Sequence, residues 1–99
     1  MKISVQRSTR KNKKVVAKVD DTVAHFGHSA YEDYTTHQDV ARKALYLARH
    51  RPREDWSLTG LKTPGFWVKH ILWSEPTVQA SVNALNKRYP SLRVVLRNS

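Results

Sequence analysis

The sequence predicts an α+β fold: a small antiparallel sheet, formed by an N-terminal meander and a C-terminal strand, packed against about three helices. Three observations predict it. The first 27 residues carry β-branched runs broken by turn residues. Residues 36–89 carry Ala/Leu-rich and amphipathic stretches set between capping and proline signals. Strand-like apolar residues then return after Pro90. A length of 99 residues fits one domain, 1–99. Such a chain buries roughly 60–65% of the surface its unfolded form exposes, so the core is modest.

The elements follow in order. Residues 2–6 alternate with period two and place Ile3 and Val5 on one face. Residues 8–14 are polar and basic and suit a mobile turn. Val15, Val16 and Val19 mark a second strand, and Asp20-Asp21 provides a tight turn into a third, which ends at Gly27. Thr36 is positioned to cap a helix, with Asp39 three residues on; its body runs from Val40 to His50 and Pro52 ends it. Thr63-Pro64 opens a second helix through Trp73. Ser74 is placed to cap a third, in which Val78, Val82, Leu85 and Tyr89 form an apolar stripe. Residues 92–97 read as the last strand, pairing with the meander.

Composition excludes several chemistries. There is no cysteine, which removes disulfides, thiolate metal sites and thiol nucleophiles. No segment approaches the ~20 apolar residues of a membrane span, and Ile3 to Val5 lead into no signal-peptide core. A soluble, intracellular protein with no membrane partner is the expectation. Phosphate loops, Gly-rich dinucleotide turns and nucleophile elbows are lacking, so no enzyme activity and no cofactor are expected. His25, His28 and His37 lie near one another in sequence, but without a zinc-type spacing they predict no metal site. Nuclease chemistry on His37 and Asp39 is the weakest alternative.

Charge is the strongest functional signal. Eighteen Lys and Arg face eight Asp and Glu, giving +10. Residues 1–19 contain seven cations and no acid, whereas residues 20–39 contain five acids and no Lys or Arg. A surplus of this size attracts polyanions, of which nucleic acid is the most abundant.

Two clusters stand out. Arg10, Lys11, Lys13 and Lys14 are four cations in five positions, suited to phosphate contact. On the 40–50 helix, Arg42, Lys43, Tyr46, Arg49 and His50 share an arc of roughly 120°. Val40, Ala41, Ala44, Leu45, Leu47 and Ala48 fill the other side, so the aliphatic side is expected to pack and the basic side to face solvent. Arg51 and Arg53 extend the positive potential, and Tyr46 can stack on a base or sugar. The bland counterpart is a solvated helix face whose cations favour the helix C-terminus. The acidic-aromatic loop 31–34 and the pair Glu54-Asp55 are expected to find cations within the chain. Trp56, Phe66, Trp67 and Trp73 are expected in the core or at an interface.

Residues 26–77 also carry a family resemblance. Phe26-Gly27, Tyr31, Asp33-Tyr34-Thr35, His37, Asp39, Arg42-Lys43, Tyr46-Leu47, Arg49-His50, Glu54-Asp55-Trp56, Thr63, Gly65-Phe66-Trp67, Leu72-Trp73 and Pro76-Thr77 together resemble small uncharacterised proteins of large double-stranded DNA viruses. Residues 1–25 resemble that family only as a basic, strand-forming lead-in. The resemblance implies a viral origin, with a place in the host cell interior and the particle, and implies no activity. With the charge, the expectation is a non-enzymatic protein that binds DNA or RNA through phosphates. The alternative is a minor capsid or cement protein contacting viral structural proteins.

Overall fold

The computed structural model describes residues 2–97; Met1, Asn98 and Ser99, the ends of the 1–99 domain, lie outside the described residues. The chain forms β1 (Ile3–Arg7), β2 (Lys13–Val19) and β3 (Thr22–His28), then α1 (Tyr34–His37) and α2 (Val40–His50). After 3-10 turns at Arg51–Arg53 and Leu58–Gly60 come α3 (Pro64–Trp67), α4 (Val78–Arg88) and β4 (Val95–Leu96). The sheet order is β3-β2-β1-β4. This is the expected α+β class, with one correction. β4 runs parallel to β1, so the sheet is mixed, because the chain returns through α4 to the same end of β1.

Register explains the core. Ile3 pairs with Val19, and Val5 with Ala17, while β2 and β3 pair Val15 with Phe26. Pairing partners share a face, so these apolar side chains converge on one side of the sheet. There they meet Phe66, Trp67, Ile71 and Leu72 from the α3 region and Val82 and Leu85 from α4. Asp20 takes φ 51° at the two-residue turn, a conformation a short acidic side chain tolerates. Gly27 has φ 78°, and a Cβ there would lie 2.6 Å from Leu72 Cδ1.

Local capping differs from expectation at two helices. Asp33 caps α1, with Thr36 closing the reciprocal box, and Asp39 caps α2 by accepting the N–H groups of Ala41 and Arg42. Thr36 therefore serves a preceding single turn rather than α2. Thr77, not Ser74, caps α4. Thr63 and Pro64 open α3 as expected, but the helix loosens into a π turn over Val68–Leu72. That wider turn accommodates His70, Ile71 and Leu72 together in the interior. The stripe on α4 holds: Val82 and Leu85 are buried, with Val78 and Tyr89 packed at the margin.

Candidate nucleic-acid interface

Helix α2 is turned around relative to the sequence expectation. Val40 and Leu45 are 68% and 64% exposed, and Ala41, Ala44 and Ala48 are exposed beside them. Packing runs instead through Lys43, Tyr46, Leu47 and His50. The reason is aromatic. Tyr46 stacks on Trp73 at 4.1 Å between centroids with the planes 1° apart, and His50 stacks on Tyr46 at 4.1 Å. Burial, and then the carboxylate of Glu54, hold the Tyr46 phenol well above its ordinary value. The His50 Nδ1 lies 3.3 Å from Glu54, which also accepts from Trp56 Nε1 at 2.8 Å. The Nζ of Lys43 donates to the Ser74 carbonyl at 2.5 Å and sits 4.8 Å over the Tyr34 ring. Burying rings and an aliphatic stem here outweighs burying a face that is half alanine and so carries less area.

The expected α2 residues therefore divide. Arg49, Arg51 and Arg53 are exposed and, among the described residues, have no carboxylate within ion-pair distance. Arg42 pairs with Glu32 at 3.1 Å in an exposed bridge. Lys43 and Tyr46 point into the molecule, and with rings on both faces Tyr46 has no face left for a base.

The basic hairpin divides likewise. Lys13 and Lys14 open β2, so the connection is shorter than expected. Ser8 and Asn12 tie it down through Ser8 N–H to the Lys14 carbonyl and Ser29 N–H to the Asn12 carbonyl, both 3.0 Å. Arg10 and Lys11 are exposed, and Lys13 is half-buried. Lys14 is engaged internally: its Nζ meets Asp33 at 2.7 Å and also donates to the Tyr31 carbonyl. The acidic-aromatic loop does pair within the chain, Asp33 with Lys14 and Glu32 with Arg42. Asp55 turns to its own loop, where hydrogen bonds from Ser57 and Thr59 hold its carboxyl below the ordinary value. Asp39 N–H donates to His37 Nδ1 at 2.9 Å while the Asp39 carboxylate caps α2, and the His37 Nε2 is buried without a partner among the described residues.

A third group of cations emerges only with the sheet. Lys2, Lys18, Arg93 and Arg97 surround a shallow depression of about 570 Å³ with Ser4 and Gln6 at its base. Ser4 pairs with both Lys18 and Val95, and Arg97 N–H donates to the Val5 carbonyl at 2.8 Å, which fixes this grouping. Asp20 is the acid at its rim. Arg10 and Lys13 adjoin it across His25: burial first, then Arg10, Lys18 and Lys13, push that imidazole below its ordinary value. Ser4, Gln6, Val16, Lys18, Val23, His25 and Val95 share this face of the sheet, opposite the core, with Val16 alone among them buried. The sequence signal was the period-two set Lys2, Ser4, Gln6; Lys18 and Arg97 join it only through the register. Among the described residues no three His, Asp or Glu gather as a metal site.

Fold and surface together define a small α+β protein whose cations outnumber their internal partners. Residues 3–50 match a family described as "Family of unknown function (DUF5754)". The match is thus to an uncharacterised family; it takes in β1, β2 and β3, so most of the stretch 1–25 that resembled a bare lead-in falls within it, and it stops at the end of α2. No curated protein and no solved structure matches the chain.

Proposed function

We propose that this protein binds nucleic acid through phosphate contacts, without sequence preference, on the open face of its sheet. One observation supports the reading: among the described residues sixteen of the eighteen Lys and Arg have no carboxylate partner, and Lys2, Lys18, Arg93 and Arg97 gather on one face beside Arg10 and Lys13. Cations held on the sheet or at the ends of its strands, as Lys18, Lys2 and Arg97 are, track a phosphate backbone with little further ordering on binding. Lys11 of the hairpin and Arg49, Arg51 and Arg53 after α2 supply further contacts. The mechanism is neutralisation with counterion release, non-enzymatic and without cofactor. A viral, genome-associated setting within the host cell or the particle is part of the proposal and rests on the resemblance over residues 26–77.

Binding to labelled duplex DNA, single-stranded DNA and RNA across a salt series tests it. Six phosphate contacts predict a log–log slope of about −5 for duplex. A slope near zero overturns the reading.

The exposed aliphatic side of α2 supports a second reading, a minor capsid or cement protein acting through protein contacts, because Val40 and Leu45 leave apolar area on one helix open to a partner. A stable assembly in size-exclusion chromatography without nucleic acid would favour it.

A further inference from the structure

A cleft of about 700 Å³ lies between α2 and the loop that follows β3, floored by Leu72 and Trp73. One wall carries His28 and Tyr31, whose rings lean together with centroids 5.1 Å apart. Tyr31 is 72% exposed, so a ring with a large apolar area stands open at the mouth. The other wall carries Arg42, Leu45 and Arg49. The charges inside nearly cancel. Lys14 is taken by Asp33 and Arg42 by Glu32. Among the described residues Arg49 is the cleft's one Lys or Arg without a carboxylate partner. Volume, an open aromatic face and a single uncompensated guanidinium define the complement: one planar ring joined to one phosphate group.

We infer that this cleft takes a single nucleoside monophosphate, with its base on Tyr31 and its phosphate on Arg49. Arg42 can add a second contact by leaving its exposed partner Glu32, a bridge that costs little to open. Polyphosphates are disfavoured, because Glu32 and Asp33 line the same space and the net positive charge is about one. The chemistry has two sources: a free nucleotide, or one unit of a single strand whose base has left its stack. A duplex does not supply it, since its bases are stacked on both faces. The strand source rests on the nucleic-acid reading above; the free-nucleotide source does not.

The experiment is an NMR titration of the full chain with adenosine 5′-monophosphate, adenosine and inorganic phosphate in parallel. The monophosphate is expected to shift the amides of His28, Tyr31, Leu45 and Arg49, with adenosine and phosphate each weaker by about tenfold. Tyr31→Ala should weaken the monophosphate by roughly tenfold while Tyr31→Phe retains it. Arg49→Ala should erase the difference between monophosphate and adenosine. Both positions are exposed, so the fold tolerates these changes. Absence of shifts at millimolar monophosphate, shifts outside the cleft, or equal response to inorganic phosphate overturns the inference. Oligothymidine binding then separates the sources: weaker binding by Tyr31→Ala than by the parent marks the strand, and equal binding marks the free nucleotide. Strand binding without monophosphate binding defeats the cleft alone, and the reverse defeats the sheet-face reading alone.

Discussion

His70 makes the fold sensitive to acid. It is buried in the π turn, its Nε2 lies 2.9 Å from the Trp56 carbonyl, and its ring packs 4.3 Å from Phe66. Burial pushes its pKa down from 6.5 to about 4; the bond to Trp56 pulls the other way, and Lys69 and Arg88 add to the lowering. The unfolded chain takes up this proton first as pH falls. The contribution is therefore complete above 6.5 and is lost progressively as pH drops toward about 4. The gap between the two values, at about 1.4 kcal/mol per pH unit, corresponds to a loss of roughly 3 kcal/mol between pH 7 and pH 4. For a domain of this size that lowers the thermal midpoint by about 10–20 °C. The assay is urea and thermal unfolding, followed by circular dichroism, of the parent and His70→Gln, whose amide can donate to the same carbonyl. Carboxylates such as Asp55 titrate in both proteins and cancel in the comparison. The parent should lose about 3 kcal/mol more than the variant across this range. Parallel pH profiles would refute the reasoning.

Three further outcomes are expected. In urea unfolding, Leu45→Gln should change stability by less than about 0.5 kcal/mol, whereas Tyr46→Ala, which removes the stack on Trp73, should cost about 3 kcal/mol. Gly27→Ala should cost about 1–3 kcal/mol, seen as a lower thermal midpoint, because a Cβ at φ 78° meets Leu72. Lys18→Ala combined with Arg97→Ala should reduce the steepness of the duplex salt dependence by about 2, while Lys43→Ala leaves it unchanged, since that ammonium is held by Ser74 and Tyr34.

What was legible in the sequence was whatever neighbouring residues decide. The Asp20-Asp21 turn, the Thr63-Pro64 start and the stripe of α4 depend on dihedral preference and on spacing along one helix, and each is present. The amphipathic character of α2 was equally plain, but which side turns inward was not. That choice is made by Trp73, distant in sequence, and by Tyr34 in the preceding helix, which offer flat partners to Tyr46 and Lys43. The direction of β4 was hidden for the same reason, since the path through α4 decides it. Of the candidate site, the exposed Arg10, Lys11, Arg49, Arg51 and Arg53 needed only composition to find. Lys2, Lys18, Arg93 and Arg97 become neighbours only when three strands are set in register.

The shortage of acidic partners has a consequence for how the molecule responds to its medium. Like charges left facing one another oppose compaction, and dissolved electrolyte relieves that strain by shielding them. The same electrolyte competes with any bound polyanion for the same groups. Ionic strength thus drives conformational stability and complex formation in opposite senses, and in dilute buffer an anionic ligand doubles as a folding agent, raising the melting temperature by neutralising what the chain itself leaves exposed.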